Sequence, residues 1–142
     1  MENPLQAAIE EAKKGMADGG APIGSVMVIN GRIISRGHNR QKQMNSIIRH
    51  AEMDCIDNAH GLSSDDFSKS TLVTTLSPCE MCAGAIIFFR IPRVVIGENQ
   101  NYLGAEKYLQ SRGVEIEVLN DETCIRMLRD FDKAYPGVWN KG

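Results

Sequence analysis

From residue 71 to residue 135, three short apolar runs alternate with three longer segments that favour helices, and this alternation most constrains the fold. The short runs have the composition of strands. The first of the longer segments is entered through Ser77-Pro78, and the last repeats its apolar residues at helical spacing. Strands separated by helices become parallel neighbours, because a parallel pair needs a long crossover connection. Helices then cover both faces of the sheet. The predicted strands are 71–75, 93–96 and 114–119, and the predicted helices are 79–89, 102–110 and 121–135.

The first half of the chain adds a helix, a hairpin and a second helix. Apolar residues at helical spacing predict a helix over Pro4–Ala17. Asn30 and Gly31 stand between two apolar runs within residues 24–35, which predicts a hairpin with a type I′ turn, since both central residues of that turn need positive φ. A further helix is predicted over 50–59, between polar loops at 37–46 and 61–70.

The composition is that of an ordinary globular domain of 142 residues, with 42% hydrophobic and 24% charged residues. We therefore expect one domain over residues 1–142. A net charge of -2 argues against a nucleic-acid partner, which usually demands a basic face. No secretory signal and no apolar run long enough to span a bilayer is visible, so no membrane partner is expected. We expect a cytoplasmic protein whose four cysteines are thiols or metal ligands rather than disulfides.

Two short segments, His50-Ala-Glu52 and Pro78-Cys79-Glu-Met-Cys82, carry the chemistry. Two cysteines three residues apart at a helix start point to one side, and the positive end of the helix dipole favours thiolates. Thiolates and an imidazole suit zinc, so His50 is the expected third ligand. Three protein ligands leave a fourth position for water, which is the arrangement of a catalytic site. Bound zinc lowers the pKa of that water towards about 7.

Glu52 lies two residues after His50, in the first turn of the predicted helix, from which both side chains can reach one pocket. A carboxylate beside an activated water is placed to move protons, so Glu52 is the expected catalytic residue. The competing interpretation is a redox pair or a structural zinc module, which needs a fourth ligand. Cys55 and His60 are available, but we expect Cys55 to be a buried helix residue and His60 to face solvent.

The combination of H-x-E with P-C-x-x-C is the signature of zinc-dependent nucleobase deaminases. The chain resembles the cytidine and deoxycytidylate deaminase superfamily and, within it, the fungal cytosine deaminases. That resemblance implies a three-layer α/β/α sandwich with a five-stranded mixed sheet, one zinc ion per subunit and a homodimer. Beyond the zinc ligands it is carried by residues 19–24, 36–39, 74–87, 91–93, 97–101 and 106–113.

The resemblance also implies how a planar base is held. Asn39 would bind the ring carbonyl oxygen together with the backbone N–H of Cys79, and the carbonyl of Ser77 would accept from the amino group. Ile23 and Tyr102 would line the ring, and Trp139 would close over it from the tail. From the residues alone, Asn39 also fits a turn after Gly37-His38, and a lone tryptophan near a terminus also fits plain packing.

One departure from the fungal pattern bears on the substrate. Those enzymes carry an acidic residue three positions after the tail tryptophan, whereas here that position is Gly142, whose α-carboxylate could substitute. Tyr102 also stands where the fungal enzymes have phenylalanine. We expect conversion of cytosine to uracil and ammonia, in pyrimidine salvage. Alternatives are isocytosine, 5-methylcytosine, creatinine or guanine as substrate, a nucleoside deaminase, a tRNA adenosine deaminase, or a non-catalytic zinc module.

Overall fold

The computed structural model describes residues 2–140 and consists of helices packed on one sheet. The helices are α1 Pro4–Ala17, α2 Ala51–Asn58, α3 Ser64–Ser68, α4 Glu80–Phe88, α5 Glu106–Ser111 and α6 Glu122–Ala134. The strands are β1 Gly24–Ile29, β2 Arg32–His38, β3 Ser70–Thr74, β4 Arg93–Ile96 and β5 Glu115–Val118. Within residues 2–140, no helix combines the length and the apolar character needed to cross a membrane.

The sheet is five-stranded and mixed, in the order β2-β1-β3-β4-β5. β1 pairs antiparallel with β2 and with β3, whereas β3, β4 and β5 run parallel to one another. The parallel arrangement predicted from the alternating pattern is therefore confirmed. The hairpin turn is confirmed as well, because Asn30 and Gly31 have φ angles of 52° and 74°.

Alternate residues of the central strands point to opposite faces of the sheet, so each face has its own apolar cluster. On one face, Leu72 and Val94 pack against residues of α2, α4 and α5. On the other face, Val26 and Val73 pack against α1 through Ala7 and Ala8. The result is the expected α/β fold with helices on both sides of the sheet.

Three differences from the sequence prediction are larger than one residue at an element end. The region predicted as a loop at 61–70 contains the short helix α3, which begins with a capping box in which Ser63 and Asp66 each bind the other's backbone N–H. β2 continues through His38, two residues into the segment predicted as a loop. α5 begins at Glu106, four residues later than predicted, because residues 102–105 form the loop that enters it.

β2 and α2 approach each other closely at Gly37. A Cβ atom built on Gly37 would lie 2.3 Å from the backbone nitrogen of Cys55, well inside any allowed contact. Only glycine therefore permits this packing distance, which brings the end of β2 close to the first turns of α2.

The outer strand β5 carries acidic side chains on its exposed positions. Glu115 and Glu117 are both exposed, and both form ion pairs with Arg93 of the neighbouring strand. One sheet edge is thus lined by charged side chains.

Candidate metal centre and active site

The two helices that carry the chemical motifs both begin at a metal-ligand candidate. His50 is the N-cap residue of α2, and Cys79 is the N-cap residue of α4. Cys82 follows in the first turn of α4 and is fully buried. β3 ends at Thr74, and the short segment 75–79, which includes Pro78, leads from it directly into α4. The site therefore lies beyond the carboxyl end of a central strand, where open α/β sheets commonly bind ligands.

The geometry of the three side chains fits zinc. Nδ1 of His50 lies 3.4 Å from Sγ of Cys79 and 3.5 Å from Sγ of Cys82. Tetrahedral zinc with bonds of about 2.3 Å to sulfur and about 2.0 Å to nitrogen places those atoms about 3.5 Å apart. All three ligand atoms lie within 4.8 Å of one another. The donor set and its spacing therefore fit a zinc ion bound by these three residues.

The charges at the site also favour a cation. The hydrogen bond from Cys82 lowers the pKa of Cys79 to about 4 against the opposing effect of burial, and His50 adds to the lowering. Hydrogen bonding to Cys79 and burial raise the pKa of Cys82. Burial acts to lower the pKa of His50, but the hydrogen bond to Cys79 and the charges of Glu52 and Cys79 raise it. A thiolate at the start of a helix is thus available to a metal.

Glu52 lies in the same pocket as the metal-ligand candidates without being one of them. Its side chain lines the cavity with His50 and Cys79, and the residue is only 4% exposed. Burial raises its pKa to about 7, which the positive charge of His50 opposes. In the metal-free protein this carboxyl group can therefore both accept and release a proton near neutral pH.

Neither alternative fourth ligand joins the cluster. Cys55 is completely buried, and burial raises the pKa of its thiol to about 12. His60 is exposed at the end of α2, as expected. Among residues 2–140, the group that could hold a metal comprises His50, Cys79 and Cys82. A closed structural site of four protein ligands is therefore not formed in this part of the chain.

The cavity at the metal centre is small, with a volume of about 10 Å³. That is room for about one water molecule. It is lined by Ile23, Asn39, His50, Ala51, Glu52, Leu76, Ser77 and Cys79. Three of the predicted substrate-binding residues thus lie together with the metal-ligand candidates and Glu52.

The side chain of Asn39 is buried and takes part in a local turn. Its Oδ1 accepts from the backbone N–H of Gln41 at 3.0 Å, and its Nδ2 donates to Oε1 of Gln41 at 3.0 Å. The backbone N–H of Asn39 donates to the carbonyl of Ile23 at 3.0 Å. The turn that the residue types suggested is therefore present, and it holds the amide at the cavity wall.

Ser77 is tied to the start of α5 through its hydroxyl group. The hydroxyl donates to Glu106 at 2.6 Å and accepts from the backbone N–H of Gly104 at 2.9 Å. The backbone N–H of Ser77 donates to the carbonyl of Glu98 at 3.0 Å. These bonds hold the segment before Cys79 in place.

The predicted aromatic residues contribute to the apolar cluster around the cavity. Trp139 is 3% exposed and belongs to a cluster with Ile23 and Leu76, against which the half-buried Tyr102 packs. Neither aromatic residue lines the cavity itself. Burial raises the pKa of the Tyr102 hydroxyl. Gly142, the predicted source of a substitute carboxylate, lies outside the described residues.

Sequence reasoning missed two kinds of site residue. Ala51 and Leu76 line the cavity, and their adjacency to the chemical motifs could have indicated this. Glu98 is fully buried and accepts from the backbone N–H groups of Gln100 and Asn101 at 2.7 and 2.9 Å. It thereby shapes the loop that leads to Tyr102.

Comparison with known proteins places this site in a family. Residues 1–98 match the model of the cytidine and deoxycytidylate deaminase zinc-binding region. The chain is 44% identical to cytosine deaminase of Candida albicans, with 96% of this chain and 92% of that protein covered. It is 40% identical to the tRNA-specific adenosine deaminase of Bacillus subtilis, with 89% of this chain and 85% of that protein covered.

A solved structure from the tRNA:A34 deaminases, enzymes of A-to-I editing at the wobble position, has the same fold. It superposes with a TM-score of 0.74 at 28% identity, covering 88% of this chain and 98% of that one. The family match includes both the segment with His50 and Glu52 and the segment with Cys79 and Cys82. The chain therefore belongs to the cytidine and deoxycytidylate deaminase family and is a zinc-dependent hydrolytic deaminase that acts on C–N bonds.

Proposed function

We propose that this protein deaminates free cytosine to uracil and ammonia. The observation that carries the proposal is the 44% identity to a cytosine deaminase over nearly the whole of both chains. The apolar side chains of Ile23 and Leu76 suit the faces of a ring.

A tRNA adenosine deaminase is the second candidate, favoured by the 40% identity to the Bacillus subtilis enzyme. Two features weigh against it. The tail packs Trp139 into the cluster around the cavity, which restricts access for a base still attached to a nucleic acid. The net charge of -2 also supplies little attraction for phosphate groups.

In the proposed reaction, His50, Cys79 and Cys82 hold the zinc ion. When bound, zinc supplies a water molecule that is activated at neutral pH. Glu52 takes a proton from the attacking water and delivers it to the ring nitrogen beside the amino-bearing carbon. It then carries a second proton to the amino group, which leaves as ammonia, while the oxygen of water becomes the new carbonyl oxygen of uracil.

The pocket residues orient the base for this attack. In this proposal, the side-chain amide of Asn39 and the backbone N–H of Cys79 donate to the ring carbonyl oxygen. The carbonyl of Ser77 accepts from the amino group that leaves. Ile23 and Tyr102 contact the faces of the ring. Such fixed polar contacts select one orientation of a small planar ligand.

The tail contributes Trp139 to the proposed site. Trp139 packs with Ile23 and Leu76, two residues that line the cavity. In this proposal its ring covers the bound base.

A homodimer is part of the same proposal, on the strength of the family resemblance. Several large apolar side chains are exposed, among them Phe88 of α4 at 77%, Ile47 at 82% and Leu103 at 67%. A partner subunit that covered such side chains would remove apolar surface from water, which is favourable. Light scattering of the purified protein should give twice the mass of one chain, and a monomer at micromolar concentration would contradict this.

The test of function is ammonia release from zinc-loaded protein with a panel of substrates. The panel contains cytosine, isocytosine, 5-methylcytosine, creatinine and guanine, together with a tRNA that carries adenosine at its wobble position. We expect cytosine to be turned over fastest. Faster turnover of another base, or inosine formation in the tRNA without cytosine turnover, would replace the proposed substrate.

The matched control for that panel is Glu52→Ala. We expect this variant to bind one zinc ion and to lose nearly all turnover, because general acid–base catalysis contributes about 10²- to 10⁴-fold. Comparable turnover in a zinc-replete Glu52→Ala protein would rule out the proposed role of Glu52.

A further inference from the structure

Asp54 is a fully buried carboxylate one helical turn after His50 on α2. It does not line the cavity at the metal centre, and the chemistry of the proposed reaction makes no use of it. A buried carboxylate is stable only when its oxygens are well paired, so its partners show what it organises.

Both oxygens of Asp54 accept hydrogen bonds from the segment around Asn39. Oδ2 accepts from the backbone N–H of His38 at 3.0 Å. Nε of Arg40 donates to both oxygens, at 3.1 Å to Oδ1 and 3.0 Å to Oδ2. The residues immediately before and after Asn39 are therefore both bound to this one carboxylate.

The same carboxylate also binds the residue before His50. Nε of Arg49 donates to Oδ1 of Asp54 at 2.8 Å. A backbone bond from the N–H of Arg40 to the carbonyl of Arg49, at 2.9 Å, joins the two arginine-bearing segments directly. Asp54 thus links the strand end that carries Asn39 to the helix start that carries His50.

The close approach of β2 and α2 makes this linkage possible. The absence of a side chain at Gly37 lets the strand lie against the backbone of Asp54 and Cys55. Glu52 lies on the same helix, two residues before Asp54. Asp54 therefore helps to fix the distance from Asn39 to both His50 and Glu52, together with the backbone bond between Arg40 and Arg49.

We propose that Asp54 is a positioning residue, which holds Asn39 in register with His50 and Glu52 and so sets the substrate ring relative to the metal centre. This inference rests on the proposed function, in which Asn39 binds the ring carbonyl. The inference adds that Asp54 aligns the residue that binds the substrate, Asn39, with the residues that carry out the reaction, His50 and Glu52. Asp54 itself touches neither the substrate nor the metal.

The expected effect follows from the donors that surround Asp54. In Asp54→Asn, the amide NH₂ group must face the N–H of His38 or the guanidinium of Arg49 or Arg40, and none of these accepts a hydrogen bond. One of these contacts is therefore lost in the variant, and its loss allows the segment around Asn39 to shift. A misplacement of about 1 Å can cost about 100-fold in rate, so we expect kcat/KM to fall by about 30- to 100-fold with zinc still bound at one ion per chain.

The matched control is Asp57→Asn. Asp57 lies on the same helix and accepts from Arg49 at 2.7 Å, but its side chain is 63% exposed and does not bind the Asn39 segment. We expect its kcat/KM to stay within about twofold of the unchanged protein. A loss equal to that of Asp54→Asn would show that the arginine alone matters and would overturn the inference.

The deciding experiment is a double-mutant cycle of Asp54→Asn with Asn39→Ala, measured as kcat/KM on the fastest base of the panel. If Asp54 acts through Asn39, the double variant loses little more than Asn39→Ala alone. Losses that multiply would show a general structural role and overturn the inference, as would an Asp54→Asn loss below threefold or an Asn39→Ala variant with unchanged kinetics.

A second cycle covers the case in which Asp54→Asn does not fold. Arg40→Met removes the arginine contact next to Asn39 and leaves the bonds of Asp54 to His38 and Arg49 in place. We expect a loss of about tenfold that does not multiply with that of Asn39→Ala. Multiplying losses overturn the inference here too. If another base of the panel is turned over faster than cytosine, the proposed substrate is wrong. Both cycles then still test the role of Asp54, because they are measured on that faster base.

Discussion

Changing Glu52 to Gln should alter the way in which the stability of the metal-free protein depends on pH. The carboxyl group is 4% exposed, and burial raises its pKa from about 4.5 to about 7. In the unfolded chain the same group ionises near pH 4.5. Between these values the folded protein binds more protons than the unfolded chain, so the free energy of unfolding falls as pH rises.

The size of the effect follows from the two pKa values. Below pH 4.5 both states are protonated and Glu52 costs nothing. Above pH 7 both are ionised, and the full cost of burying the charge is present. A pKa change from about 4.5 to about 7, at about 1.4 kcal/mol per pKa unit, corresponds to about 3 kcal/mol. Glutamine at this position does not ionise, so the free energy of unfolding of Glu52→Gln should not fall by this amount as pH rises.

Urea denaturation measures this difference directly. Both proteins are dialysed against a chelator with a reductant present, and the free energy of unfolding is determined at pH 4.5 and at pH 8. Wild type should lose about 3 kcal/mol more than Glu52→Gln across this interval. With zinc bound, the cation favours the ionised carboxylate and the difference should shrink. Equal losses in the two metal-free proteins would refute the reasoning.

Three further predictions concern packing around the site. Trp139→Ala removes the aromatic cover proposed for the base and should raise the KM for cytosine about two- to tenfold in steady-state assays, since aromatic contacts contribute about 0.5–1.5 kcal/mol; an unchanged KM would show that the tail does not touch the substrate. Glu98→Gln weakens the acceptor for two backbone N–H groups and should lower the free energy of unfolding by about 1–3 kcal/mol in urea; a loss below 0.5 kcal/mol, on the order of a surface change, would contradict this. Gly37→Ala should destabilise by more than about 2 kcal/mol, because its Cβ meets backbone at 2.3 Å. Its control is Gly84→Ala, where a Cβ meets nothing within 4 Å and alanine should stabilise α4 by up to about 1 kcal/mol; similar melting temperatures for the two variants would count against the close-approach argument.

Features that depend on local chemistry could be predicted from the sequence. Asn30-Gly31 adopts positive φ in the hairpin turn because few other residue pairs accept that conformation. His50 and Cys79 each stand at a helix start, where the motif spacing placed them. The meeting of these two starts was predicted from the family signature, and the structure brings their side chains to 3.4 Å.

Features that depend on tertiary contacts could not be predicted in this way. The region around α3 is polar and contains glycine, and this composition predicts a loop. In the structure, however, Ser63 and Asp66 cap a short helix there. Asp54 and Glu98 are charged residues of types that usually face solvent. Both are completely buried. The partners of Asp54 come from segments that only the fold brings near. Those of Glu98 are its neighbours in the chain, so for Glu98 it is the burial, and not the pairing, that depends on the fold.

The acidic side chains of β5 have a consequence for the behaviour of the protein at high concentration. An outer strand offers unpaired backbone groups to any other strand, including that of a second copy. In an in-register approach of two such edges, Glu115 and Glu117 would place like charges opposite one another while remaining paired with Arg93 in their own chain. Replacing both glutamates with valine would remove this repulsion and raise strand propensity, so the variant should form aggregates with cross-strand order on prolonged storage.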